Sequence, residues 1–140
     1  MFKFFAILFC AFLFTGCSKN ELVLTDEQQV IRYLTGSGNK VWFLSKIFIN
    51  DVQQVLTANQ LKFNKTYTLS PGATEMGRFT NSDDDTGTWT LDNKKTLTET
   101  IDNRSRPVQF INKIIKINET SLEIENTINL TKTLEVYYAN

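Results

Sequence analysis

Histidine is absent from this chain of 140 residues, and cysteine occurs only twice, at Cys10 and Cys17. Without histidine, the sequence lacks the commonest general base, the usual serine–histidine–aspartate triad and the commonest ligand of transition metals. Basic and acidic side chains balance at 15 each, so no basic excess is available to bind nucleic acid. We therefore expect neither an enzyme nor a nucleic-acid-binding protein, and we expect no cofactor.

The first long apolar run lies at the N-terminus. Lys3 is followed by an unbroken apolar stretch over residues 4–14. This stretch is well short of the ~20 residues that a membrane-spanning helix needs, but it suits the hydrophobic region of a signal peptide. The small residues Thr15 and Gly16 come next, and polar residues follow Cys17 at once. The pattern is typical of an exported protein with a cleavage site near Cys17.

Residues 13–17, with the sequence Leu-Phe-Thr-Gly-Cys, resemble the bacterial lipobox. The resemblance implies cleavage before Cys17, thioether lipidation of its sulfur and acylation of the new amine. Each buried methylene contributes about 0.8 kcal/mol, so two or more acyl chains anchor a protein firmly to a membrane. We therefore expect a signal peptide over 1–16, a lipid-anchored tether over 17–24, and an outer-membrane lipoprotein that faces the periplasm or the cell surface. The alternative is an ordinary secretory signal.

Lipidation would also remove the last thiol. Cys10 leaves with the signal peptide and Cys17 carries lipid, so the rest of the chain can form no disulfide, cysteine nucleophile or thiolate metal site. The remaining domain, predicted over 25–140, must be held together by a hydrophobic core, and a chain of this length can form one.

A short helix is predicted at the start of that domain. Thr25 and Gln28 form a capping-box pattern, and Gly36 offers a stop, so we expect a helix over 26–35. Val30, Ile31 and Leu34 share its apolar face.

From Val41 onward the apolar period changes from helical to twofold, which is typical of strands. The last strand places Leu130, Leu134, Val136 and Tyr138 on one face. Short turn sequences separate the predicted strands, which lie at 41–49, 60–69, 75–81, 86–91, 95–102, 108–117 with a bulge near Asn112, 121–125 and 130–138. The pattern predicts an all-β fold, an antiparallel up-and-down barrel of about eight strands preceded by one short N-terminal helix, with a sandwich as the alternative.

Several short motifs resemble the lipocalin-like lipoproteins of Gram-negative bacteria. They are an early Trp42, an alternating strand with Phe63 and Tyr67, and Gly-Thr-Trp-Thr-Leu at 87–91 before a Lys-Lys-Thr-Leu hairpin. Trp42 matches the tryptophan of that family's first strand, and 87–91 matches its mid-barrel motif. The resemblance implies a lipocalin-like barrel that binds a small apolar molecule.

The aromatic and charged residues that are predicted to face the interior form the candidate ligand-binding site. The candidate ligand-binding residues are Trp42, Phe63, Tyr67, Arg78 and Trp89. The four aromatic residues line a cavity or simply fill the core. Five charged residues lie on the same strand face as apolar neighbours, and they are Lys46, Lys65, Arg78, Glu99 and Lys132. If these side chains face a cavity, each needs a partner of opposite charge, and together they suggest a ligand with a polar head group. The alternative places them near the rim.

Two groups of acidic residues are weaker candidates for a functional site. Residues 83–85 are three aspartates, but Thr88 and Lys94 stand where a calcium-binding EF-hand needs glycine and glutamate, so a solvated turn is favoured and no metal is expected. Glu123 and Glu125 share a strand face that we expect to meet water. The sequence thus predicts a lipid-anchored module that binds a small apolar ligand passively. The alternative is a structural or protein-interaction module with a filled barrel, and the sequence identifies no partner protein.

Overall fold

The computed structural model describes residues 25–140, so the predicted signal peptide, Cys17 and the tether lie outside the described residues. The predicted helix is confirmed as α1 (Asp26–Thr35). The Thr25 hydroxyl accepts a hydrogen bond from the Gln28 backbone N–H, and the Gln28 side chain accepts one from the Thr25 N–H, so the capping box forms. Gly36, at φ 63°, ends the helix.

Nine antiparallel strands follow α1 in one sheet. Pairing of β1 with β9 closes the barrel, and β2 pairs only with the far end of β1, so eight strands form the barrel wall. The predicted fold class is therefore confirmed. The strands are β1 (Asn39–Ile49), β2 (Val52–Gln53), β3 (Asn64–Leu69), β4 (Met76–Asn81), β5 (Thr86–Asp92), β6 (Thr96–Ile101), β7 (Val108–Ile117), β8 (Ser121–Ile128) and β9 (Thr131–Tyr138).

The helix α1 covers one end of the barrel, which we call the helix end. Leu34 and Trp42 are fully buried there, and the Trp42 indole N–H donates to the Leu34 carbonyl oxygen at 2.9 Å. Lys94 in the β5–β6 turn pairs with Asp26 at 3.3 Å, so the start of α1 lies at the same end. The β1–β2, β4–β5, β6–β7 and β8–β9 connections lie at the opposite end, which we call the open end. Within residues 25–140, no helix has the length and apolarity that crossing a membrane requires.

Two inward-facing glycines make room for large rings in the barrel core. Gly77 pairs with Trp89, whose indole N–H donates to the Thr68 carbonyl oxygen at 3.0 Å. Gly87 pairs with Phe79 in the same way. A side chain at either glycine would occupy the space that the neighbouring ring or backbone fills. Trp89 of the Gly-Thr-Trp motif therefore packs the half of the barrel nearer α1, and Gly87 makes room for Phe79 in the other half.

The strand predicted at 60–69 is wrong at its start. Residues Gln60–Lys62 form a short 3-10 helix, and β3 begins only at Asn64. Thr57 and Gln60 exchange side-chain-to-backbone hydrogen bonds, which repeats the Thr-x-x-Gln capping pattern of α1. This local cap outcompetes the strand-like alternation of the segment, and Leu61 is left exposed.

The apolar face predicted for the last strand is the outer one. Leu134, Val136 and Tyr138 do share a face, but the inward residues of β9 are Glu135 and Tyr137, and Tyr137 is 1% exposed. Tyr138 stacks on Phe43 outside the barrel, with ring centroids 5.5 Å apart. Leu130 lies in the exposed β8–β9 turn. Because successive side chains alternate between faces, the register with β1 and β8 decides which set is buried.

Candidate functional site

A cavity of about 210 Å³ opens at the open end of the barrel. Its apolar wall consists of three phenylalanine rings and one isoleucine, Phe63, Phe79, Phe110 and Ile101. Polar side chains provide the remainder of the lining, and they are Lys65, Asn81, Asp83, Asp85, Glu99, Arg104, Asn112, Asn126 and Glu135. The interior is therefore filled towards α1 and partly empty towards the open end.

Glu99 is the centre of a buried hydrogen-bond network at the base of the cavity. It is 2% exposed, and its carboxylate accepts hydrogen bonds from Lys65 Nζ at 3.0 Å and Asn112 Nδ2 at 2.9 Å. The Tyr67 hydroxyl donates to the other carboxylate oxygen. Lys65 and Tyr67 are two residues apart on β3, so both point inward. A buried charge is tolerated only when it has a partner of opposite charge and hydrogen bonds, as Lys65 and Glu99 do here.

The network extends from Glu99 to both sides. Asn112 Oδ1 accepts a hydrogen bond from Asn126 Nδ2 at 3.3 Å. Glu135 Oε2 accepts one from the Tyr137 hydroxyl at 2.6 Å and lies 3.9 Å from Lys65 Nζ. Within residues 25–140, every buried side-chain nitrogen and oxygen has a hydrogen-bond partner. Because its buried polar atoms are all paired, the network holds these side chains in one arrangement.

The network also shifts the pKa values of its members. Burial alone lowers the pKa of Lys65, but the Glu99 and Glu135 carboxylates outweigh it and raise that pKa above its ordinary value of 10.5. Burial, followed by the charge of Glu99, raises the pKa of the Tyr67 hydroxyl well above 10.0. Burial and the charge of Glu135 do the same for the pKa of Tyr137. At neutral pH the cavity base therefore contains one ammonium and two neutral phenols.

These shifts predict that alkali destabilises the barrel. Above about pH 10 the unfolded chain releases protons from Lys65, Tyr67 and Tyr137 that the native state keeps, so the free energy of unfolding falls as pH rises. Urea unfolding at a series of pH values from about 8 to about 11 measures this slope. The variant with both Tyr67→Phe and Tyr137→Phe should have a shallower slope. Equal stability of the wild type across that range would contradict the prediction.

The three aspartates at 83–85 form part of the β4–β5 hairpin turn at the mouth of the cavity. Asn81 Oδ1 accepts hydrogen bonds from the Asp83 and Asp85 backbone N–H groups, which shapes the turn. Arg104, from the β6–β7 loop, donates two hydrogen bonds of 2.8 Å to the Asp85 carboxylate. Although burial raises the pKa of Asp85, the hydrogen bonds from Arg104 and Asn81 lower it below its ordinary value. Within residues 25–140, no group of three or more potential ligand residues could hold a metal ion.

The predicted aromatic residues divide between the two halves of the barrel. Phe63 lines the cavity, and Tyr67 contacts it indirectly through Glu99. Trp42 and Trp89 are 0% exposed and pack the half nearer α1, where both indole N–H groups bind backbone carbonyl oxygens. The structure thus places these two tryptophans in the core and outside the cavity lining.

The five charged candidates also divide. Lys65 and Glu99 face the interior as a pair. Arg78 lies on the outer surface and pairs with Asp102 at 2.6 Å, so it does not reach the cavity. Lys46 is exposed because the register of β1 shifts between Leu44 and Lys46. Lys132 pairs with Asp51 beside the open end.

Sequence reasoning missed several cavity residues. The sequence predicts a bulge near Asn112, whereas Phe110, Asn112 and Ile114 alternate regularly and all point inward. The register shift of β7 lies between Ile114 and Lys116. The regular alternation of Phe110, Asn112 and Ile114 along β7 is the signal that could have identified Asn112 as an interior polar residue. Arg104 belongs to a loop, and no periodic signal indicates where a loop side chain points.

The paired glutamates of β8 lie outside the cavity. Leu122 and Ile124 are the buried residues of this strand, so Glu123 and Glu125 occupy the opposite face. Glu123 lies 3.8 Å from Lys116 on the neighbouring strand. This arrangement is that of a solvated outer surface.

Comparison of the chain with family models, curated proteins and solved structures finds no match. The fold and the site therefore define the class of protein by themselves: a small, closed, antiparallel β-barrel with a helix over one end and a polar cavity at the other. This architecture is compatible with a lipocalin-like domain.

Proposed function

We propose that this protein is a lipid-anchored lipoprotein of the bacterial envelope, whose lipocalin-like barrel binds a small molecule in the open-end cavity. The observation that supports this function is the unequal filling of the barrel. Buried side chains such as Leu34, Trp42 and Trp89 fill the barrel interior near α1, whereas the other half keeps a cavity of about 210 Å³ lined by organised polar groups. Such a module sequesters or presents its ligand and performs no chemistry on it.

The size and lining of the cavity restrict the ligand. Drug-sized ligands occupy pockets of roughly 300–1,000 Å³, and this cavity is smaller. At roughly 30 Å³ for each water, it has room for about seven water-sized groups. Phe63, Phe79 and Phe110 provide contacts for an apolar part. Lys65 and Glu135 favour a ligand that also carries a polar group. A wholly apolar ligand would displace water from these two side chains without replacing the hydrogen bonds that the water makes.

The start of the described chain, to which the predicted tether would be joined, lies at the end of the barrel opposite the cavity. Thr25 starts α1 at the helix end, and residues 18–24 join it to Cys17. Eight extended residue steps span at most roughly 28 Å, so the lipid would keep the helix end near the membrane. In this arrangement the cavity opens to the aqueous side and collects its ligand from solution.

A second function, docking of a partner protein, is favoured by exposed apolar side chains at the open end. Val55 and Leu130 are 96% and 94% exposed, and Val52 is 64% exposed. They lie on the β8–β9 turn and on the segment that begins with β2, both of which belong to this end. In this alternative the barrel is a scaffold, and its rim contacts the partner.

Native mass spectrometry of the full-length protein, extracted from membranes in a nonionic detergent, tests the proposed function. We expect a chain that begins at Cys17 and carries covalent acyl groups. We also expect a non-covalently bound small molecule that dissociates when the protein is denatured.

The matched control for this experiment is Cys17→Ser. This variant should lose the acyl mass and leave the membrane fraction, and it should keep the small molecule. A wild-type chain without acyl groups would reject the anchor. Repeated preparations without any bound small molecule would reject ligand binding, and a stoichiometric partner protein in their place would favour the docking alternative.

A further inference from the structure

We propose that the ligand of the open-end cavity is a small organic cation, such as an ammonium or guanidinium compound, and that Glu135 is the residue that binds its charge. This inference rests on the proposed function and deepens it. The first argument is the charge of the lining. Four carboxylates and two cationic side chains surround the cavity, so acidic groups exceed basic ones by two; they are Asp83, Asp85, Glu99 and Glu135 against Lys65 and Arg104.

Both cationic side chains of the lining already have carboxylate partners. Lys65 Nζ donates to both oxygens of Glu99, at 3.0 and 3.3 Å. Arg104 donates two hydrogen bonds to Asp85. An anionic ligand would approach each of these cations with a carboxylate already beside it, and the like charge of that carboxylate opposes its binding.

The cavity lining includes two acceptor oxygens to which no group of residues 25–140 donates. Glu135 uses Oε2 for the Tyr137 hydroxyl, and within residues 25–140 no group donates to its Oε1. Asn126 donates through Nδ2 to Asn112, and no group in the described part of the chain donates to its Oδ1. The Glu135 side chain is 26% exposed, so it is accessible from the cavity. A ligand that donates hydrogen bonds from a positive charge satisfies these acceptors.

The apolar wall fits the same type of ligand. Phe63, which directly precedes β3, lines the cavity together with Phe79 of β4 and Phe110 of β7, and Phe110 is the cross-strand partner of Glu99. Aromatic faces attract ammonium and guanidinium groups, and they also contact the hydrocarbon part of such ligands. The lining thus combines carboxylate and aromatic groups, a combination that selects cations over neutral molecules of the same shape.

Isothermal titration calorimetry with three probes of nearly equal size and different charge tests the inference. The probes are benzylammonium, benzyl alcohol and benzoate, and the protein is the full-length chain in nonionic detergent. We expect benzylammonium to bind roughly tenfold to a hundredfold more tightly than benzyl alcohol, because hydrogen bonds to charged groups are stronger than neutral ones. Benzoate should bind most weakly. Added salt should weaken only the binding of benzylammonium appreciably.

The variant Glu135→Gln keeps an acceptor for the Tyr137 hydroxyl and removes the charge. We expect it to lower the affinity for benzylammonium roughly tenfold or more and to leave that for benzyl alcohol unchanged. Glu123→Gln is the matched control, because it makes the same charge change on the outer surface. It should leave the affinities of all three probes unchanged.

Three results would overturn the inference. If benzyl alcohol or benzoate bound as tightly as benzylammonium, the cavity would bind ligands but would not select cations, and the proposed function would stand. If Glu135→Gln weakened benzylammonium and benzyl alcohol equally, Glu135 would not bind the charge. If none of the probes bound, cation binding would be rejected, and the co-purified small molecule would still decide the proposed function.

Discussion

Replacement of Glu99 by alanine should destabilise the barrel by about 3–5 kcal/mol, the range measured when one partner of a buried ion pair is removed. Lys65 is 9% exposed, and Glu99 provides its two hydrogen-bond acceptors. The Tyr67 hydroxyl and the Asn112 amide lose the same acceptor. Urea denaturation followed by tryptophan fluorescence measures the loss in the free energy of unfolding.

A double-mutant cycle separates the charge pair from the rest of the network. Lys65→Met leaves the Glu99 charge without its cation, and Glu99→Gln leaves Lys65 with only the more distant Glu135 carboxylate, whereas the double variant removes both charges of the buried pair. We expect the double variant to be more stable than the sum of the two single effects predicts, by about 1 kcal/mol or more. Glu123→Ala on the outer surface is the matched control and should change stability by less than about 0.5 kcal/mol. Additive effects of Lys65→Met and Glu99→Gln would show that the two side chains do not interact.

Replacement of Gly77 by alanine should cost about 3 kcal/mol or more, at the upper end of the range for overpacked cores. A Cβ atom at this position would lie 1.8 Å from the Thr68 carbonyl oxygen and 2.7 Å from Trp89 Nε1. The Thr68 oxygen belongs to the backbone of β3 and accepts the Trp89 hydrogen bond, so it cannot move aside without opening the β3–β4 pair. Thermal unfolding and the fluorescence maximum of the tryptophans report the effect.

Gly38→Ala is the matched control for Gly77→Ala. A Cβ atom at Gly38 would contact nothing within 4 Å. Because this glycine does not need a positive φ, alanine there should stabilise the protein slightly or leave it unchanged. If Gly77→Ala and Gly38→Ala unfolded at the same urea concentration, the packing of Trp89 across Gly77 would not limit stability.

The bounds of α1 and most strands followed from local signals. The Thr25 and Gln28 side chains cap α1 through contacts three residues apart, which a sequence displays directly. The alternation of the strands is equally local, and it identified the all-β fold. A second Thr-x-x-Gln pattern, at Thr57 and Gln60, is equally local, and it explains why a 3-10 helix replaces the predicted start of β3.

The cavity lining could be predicted only in part. Parity on β3 and β6 indicated that Lys65 and Glu99 can point inward, and the structure brings them together across the barrel. Parity on β4 suggested the same for Arg78, which instead pairs with Asp102 on the outer surface. The difference arises because Met76, the apolar neighbour that set the parity on β4, is itself 51% exposed. An alternating pattern identifies two faces but does not say which one is buried.

The sequence by itself determined the helix, the strands and the absence of histidine and of a usable thiol in the domain, because these depend on residue type and on neighbours along the chain. Only the tertiary structure decided that Glu135 and Tyr137 point inward, that Arg104 reaches Asp85, and that the open half of the barrel is not filled. Those features depend on the register between strands distant in sequence. A shift of one residue in that register would exchange the inner and outer faces of a strand, and with them the charge of the cavity.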